Sequence, residues 1–203
     1  MLPTDFDAQS DLDTVHHMMA QGRMAAAIDG IHLINWGLTI VLILLIQYFA
    51  EARDWLPSSL LWLWQPLVSI GVIISLFLGR RSPYRRWGNE ASRTYVTAFA
   101  GAGFTLGLYL IASGLGGRPD QFTLVLLSSG LLGFSFLVTG FAIQMPRLQF
   151  ATLGWWITFA FFCFRGKLVL NDFFILSGAF ALFMIVPGLF LTLRRKQLAD
   201  LVS

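Results

Sequence analysis

Charge is what this sequence has least of. Only 12% of its 203 residues are Asp, Glu, Lys or Arg, about half the ~25% of soluble domains, while 56% are hydrophobic. A soluble fold of this size has no core large enough to hide so much apolar surface, so the composition points to the bilayer. Cysteine is nearly absent as well. Cys163 stands alone inside an apolar run, which excludes an intramolecular disulfide. The first ten residues are acidic and lack a basic stretch leading into an apolar one, so the first membrane helix itself is expected to direct insertion.

What the chain has is long apolar runs. A helix needs about 20 mostly apolar residues to cross the hydrocarbon core, and six stretches qualify: 30–50, 60–79, 94–114, 122–143, 148–164 and 173–193. The links between them are short and carry breakers, as in Leu56-Pro57-Ser58-Ser59, Gly116-Gly117-Arg118-Pro119-Asp120 and Met145-Pro146-Arg147. The expected fold is an all-α polytopic bundle of about six transmembrane helices. It comprises a tail over 1–28, a six-helix domain over 29–194 and a short C-terminal tail over 195–203.

Ten of the fourteen Lys and Arg residues fall on the side that holds the N-terminus: Arg23, Arg80, Arg81, Arg85, Arg86, Arg93, Arg147, Arg194, Arg195 and Lys196. The positive-inside rule then predicts cytoplasmic termini. The basic residues flank apolar runs, where they set topology and meet lipid headgroups, and this argues against nucleic-acid binding. A faint repeat links Thr105-Leu106-Gly107 with Thr152-Leu153-Gly154, and Ser129-Gly130 with Ser177-Gly178. It suggests three copies of one helical hairpin.

Ionisable groups inside the spans are scarce, and that restricts chemistry. Asp29 and Asp172 start the first and sixth spans, while Glu51, Asp54 and Asp120 are assigned to loops. His32 is the only histidine in a span, so a bis-histidine haem or a metal lacks ligands, and no cofactor is expected. Ser128, Ser129, Ser135 and Ser177 have no base at their own depth, so no catalytic residue is assigned. One polar stripe stands out. At 100° per residue, Asp29, His32, Asn35, Trp36 and Thr39 share about a third of the first helix's circumference. Interhelical hydrogen bonding is the favoured use of that stripe, and a small-ligand site is the alternative.

Small residues give the packing signals. Gly103 and Gly107 form a GxxxG pair, and Gly130 and Gly133 smooth the fourth helix. Packing within the bundle is the favoured use, ahead of contact between protomers in a homo-oligomer. Pro187-Gly188 is expected to kink the sixth span. In the tail, Leu12, Val15, Met19 and Ala26 fall at helical spacing, predicting an amphipathic helix over 11–24 with an acidic start.

Arg23, Trp36-Gly37, Gly79-Arg80-Arg81 and Arg194-Arg195-Lys196 together give the chain a likeness to one family. It resembles a loose group of small bacterial six-helix inner-membrane proteins of uncharacterised function, whose members often accompany winged-helix regulators. The resemblance implies a signalling or regulatory partnership and carries no catalytic residues. The acidic tail departs from the group's more basic one. The expected function is a non-enzymatic membrane module docking a cytoplasmic partner through its N-terminal tail. The alternative is a small permease or channel for an uncharged or lipid-like solute.

Overall fold

In lipid every backbone N–H and C=O must be paired within its own segment, so apolar runs of this length become helices. The computed structural model describes residues 30–53, 61–81, 90–116, 120–142 and 145–200. Asp29, Arg85, Arg86 and the amphipathic helix expected over 11–24 lie outside those residues. The elements are α1 (Ile31–Ala52), α2 (Leu61–Arg81), α3 (Glu90–Leu115), α4 (Gln121–Ala142) and α5 (Pro146–Arg165). A sixth rod follows, made of α6 (Leu170–Phe180), a π-helical turn (Ala181–Ile185) and α7 (Val186–Asp200). Four segments are long and apolar enough to span a bilayer: α1, Arg93–Leu115 of α3, α4, and Leu170–Arg194. The chain is an integral membrane protein.

Local sequence explains the punctuation. Pro146 opens α5 at a position where its missing N–H would have no helical partner. Gly166 closes the helix at φ 68°, a left-handed conformation that costs glycine nothing. At the start of α6, the Val169 N–H donates to Asp172 Oδ2 at 2.8 Å, supplying one of the bonds the helix end needs.

Successive helices run antiparallel, but chain order is not spatial order. Among the described residues α2 packs chiefly on α1, α1 on the sixth rod, α5 on α4, and α4 on α3; a lighter contact joins the sixth rod to α5. The first and sixth helices thus sit centrally, with α2 and α3 at the two margins. Aromatic side chains fill the interior. Trp155 is fully buried, edge-on to Phe180 with ring centroids 4.7 Å apart, and Phe136 meets Phe99 at 5.1 Å. Both pairs adopt the edge-to-face geometry that ring quadrupoles favour.

Glycines set the approach of α1 to the sixth rod. A Cβ on Gly188 would stand 2.9 Å from the Gly30 carbonyl oxygen and 3.0 Å from the Ile34 nitrogen. A Cβ on Gly37 would stand 2.6 Å from Ile185 Cγ1, inside the π turn. The kink expected at Pro187-Gly188 takes the form of that turn, where the Val186 N–H reaches back five residues to the Ala181 carbonyl. Proline has no N–H to continue the α ladder, so the helix winds wider just before it.

The two predicted glycine strips part company. Gly133 is packed, since a Cβ there would lie 2.5 Å from Trp156 Cδ1, and Gly130 faces the Phe159 ring at 3.6 Å. Gly103 and Gly107 have nothing within 4 Å. The intramolecular packing expected of them is therefore corrected: they face outward from a helix whose span is only 6% buried, against half of the span in α4. The repeat members differ in the same way. Gly107 is open, while Gly37 and Gly154 are pressed by Ile185 and Phe183.

Candidate functional site

The polar stripe of α1 faces α2. Asn35 Nδ2 donates to the Gly71 carbonyl at 3.1 Å and to Ser75 Oγ at 3.0 Å, while Thr39 Oγ1 donates to the Asn35 carbonyl at 2.8 Å. A Cβ on Gly71 would lie 3.2 Å from the Thr39 side chain and 3.4 Å from the Trp36 ring. The glycine thus lets α2 seat directly on Asn35, Trp36 and Thr39. His32 is half-buried on the same helix. Bonds of this kind hold helices together where no water competes.

Further along α1 lies a group that sequence reasoning missed. Gln47 is 1% exposed. Its Oε1 accepts from Trp64 Nε1 at 3.1 Å, and its Nε2 donates to Glu51 Oε1 at 3.1 Å. Glu51, assigned to a loop from sequence, stands in the last turn of α1. A glutamine inside an otherwise apolar span was the available signal, because buried amides need partners.

Asp172 stands in the first turn of α6, at the helix start expected from sequence, and it is 0% exposed. Oδ2 takes the Val169 N–H and lies 3.3 Å from Arg165 Nε, whose side chain is 37% exposed. Oδ1 is buried with no hydrogen-bond partner. Thr139 Oγ1, Thr152 Oγ1 and Trp155 Nε1 are likewise buried without partners. Most hydroxyls in the helices behave otherwise. Ser128, Ser129, Ser135 and Ser177 all donate to backbone carbonyls at 2.8–3.1 Å.

At the same end of the bundle, Asp120 caps α4. Its Oδ1 accepts the Phe122 N–H at 3.0 Å, and its Oδ2 accepts the Thr123 N–H at 3.1 Å and the Thr123 hydroxyl at 2.5 Å. The Tyr109 hydroxyl donates to the Asp120 carbonyl at 2.9 Å, tying the end of α3 to the start of α4. The Thr123 hydroxyl above all holds this carboxyl below its ordinary value; burial opposes it, and the two backbone N–H groups add to the lowering. Below it, α4 and α5 frame an open apolar groove of about 360 Å³, lined by Thr123, Leu126, Leu127, Gly130, Leu131 and Phe159.

At the opposite end, where Gly30 meets Gly188, α7 runs on as helix through Asp200. It passes the boundary expected at Arg194 without a break. Arg194 and Lys196 are exposed on it. Arg80 and Arg81 close α2, and Arg195 lies within α7.

Compared with protein-family models, with curated proteins and with solved structures, the chain finds no match in any of the three. Fold and site define the class: an all-α multi-pass membrane bundle with a buried polar cluster at one end and a basic helical extension at the other.

Proposed function

We propose that this chain is a non-enzymatic signalling or regulatory module of a bacterial inner membrane, with both termini cytoplasmic and a cytoplasmic protein as partner. The observation that carries the reading is the junction of the first and sixth helices. Gly30 and Gly188 are in backbone contact, so the start of α1 lies beside the base of α7. Beyond Leu193, α7 continues as a helix with Arg194 and Lys196 exposed. The tail carries Asp5, Asp7, Asp11 and Asp13. The sequence thus offers a partner both an acidic segment and a basic helix, and complementary charge gives orientation and specificity.

The experiment is a pull-down from nanodiscs with the intact protein and with a form lacking residues 1–24, read by mass spectrometry. A cytoplasmic protein recovered with the first and lost with the second supports the reading. Equal recovery from both removes the tail from it.

A further inference from the structure

The groove between α4 and α5 has walls, a floor and a rim, each set by the sequence. Thr123, Leu126, Leu127, Gly130 and Leu131 recur at the i, i+3, i+4, i+7, i+8 spacing of a single helical face, and Phe159 of α5 forms the opposing wall. Gly130 makes the depth. The side chain it lacks would project toward the Phe159 ring, 3.6 Å from Cδ2 and 3.7 Å from Cε2. At about 360 Å³, the space lies in the range of small-molecule pockets, roughly 300–1,000 Å³.

Its axial extent lies within a single leaflet. From Thr123 to Leu131, a helical rise of about 1.5 Å per residue gives roughly 12 Å. Half of a hydrocarbon core about 30 Å thick is roughly 15 Å. The groove opens sideways on a membrane-spanning helix, where hydrocarbon is the surrounding medium. Three residues before its first lining residue, Thr123, and bonded to that residue's hydroxyl, stands the exposed carboxylate of Asp120, with no salt bridge among the described residues.

We propose that this groove holds one acyl chain of an amine-bearing phospholipid, with the headgroup ammonium against Asp120. An apolar slot that lies within one leaflet takes part of the chain. The carboxylate selects a headgroup that carries a positive charge over one that carries only negative charge.

The test is native mass spectrometry of the full-length protein released from nanodiscs that hold equal phosphatidylethanolamine and phosphatidylglycerol of the same acyl chains. Wild type is expected to retain phosphatidylethanolamine over phosphatidylglycerol by about fivefold, the scale of one exposed charge contact. Gly130→Leu fills the slot and is expected to lose retention of both lipids. A Cβ at that site meets only ordinary van der Waals neighbours, so Gly130→Ala, expected to weaken retention less, is the milder second variant, and Tm is read for both. Asp120→Asn keeps one of the two accepting oxygens of the cap, and Asn ranks with Asp at helix N-caps. It is expected to hold lipid as before with the headgroup preference gone. Equal retention of the two lipids by wild type overturns the headgroup assignment. Undiminished retention by Gly130→Leu overturns the groove as the site.

Discussion

Gly188 and Gly30 meet backbone to backbone: a Cβ on Gly188 would stand 2.9 Å from the Gly30 carbonyl oxygen. A backbone atom has no rotamer by which to retreat. Gly188→Ala is therefore expected to destabilise by at least about 1–3 kcal/mol, the usual cost of overpacking. Gly37→Ala should cost less, because its nearest neighbour is the movable Ile185 Cγ1. Thermal unfolding in one detergent ranks the two, and equal Tm values would contradict the close approach.

The outward strip on α3 gives the opposite expectation. Gly103→Ile and Gly107→Ile add bulk where nothing lies within 4 Å, so each should leave stability within about 0.5 kcal/mol. Gly133→Ile, which meets Trp156 at 2.5 Å, should lower Tm clearly in the same assay.

Asn35 and Ser75 form an interhelical bond at 3.0 Å. A double-mutant cycle of Asn35→Ala and Ser75→Ala should show a coupling of about 0.6 kcal/mol, the membrane average. A coupling of zero would remove this bond from the forces seating α2 on α1.

Asp172 and Arg165 are expected to respond unequally. Asp172→Asn keeps an acceptor for the Val169 N–H and no longer needs a counter-ion. Arg165→Met leaves a carboxylate with no exposed area without its only charged neighbour among the described residues. The arginine variant should be the less stable of the two, by an amount below the ~3–5 kcal/mol typical of fully buried pairs, since Arg165 reaches solvent. Chemical unfolding of both variants decides the order.

The Asp120 cap carries a pH signature. Its carboxyl is held below the ordinary 3.8 by the Thr123 hydroxyl first. A lowered folded value means that the cap's stabilisation is complete above that ordinary value and fades as pH falls through the lowered one. Tm of wild type relative to Asp120→Asn should then be level from pH 7 to pH 5 and decline only in stronger acid. A difference that changes between pH 7 and pH 5 would contradict the shift.

The helices were legible because hydrocarbon leaves the backbone no other choice; α1 and α4 match the expected spans to within about two residues at each end. Neighbour relations were not, because lipid-facing and helix-facing residues are equally apolar. Leu42 is exposed and Leu44 buried on the same helix, with nothing in side-chain type to separate them. Glycine carried a similar ambiguity. Gly107 and Gly154 sit in matching triplets, yet only Gly154 has a neighbour. Residue type did mark Asn35, expected to bond between helices and bonded to Gly71 and Ser75, and it could have marked Gln47, since an amide within an apolar span requires a partner.

The spatial order of the helices also bears on how the protein is made. Because α1 seats on the sixth rod, the first helix to enter the bilayer waits for a partner that the ribosome delivers five helices later. Helices α3 to α5, each packed on its sequence neighbour, can assemble during that interval. Biogenesis therefore ends with a joining step between distant parts of the chain, and truncation before residue 170 would strand α1 with α2 alone.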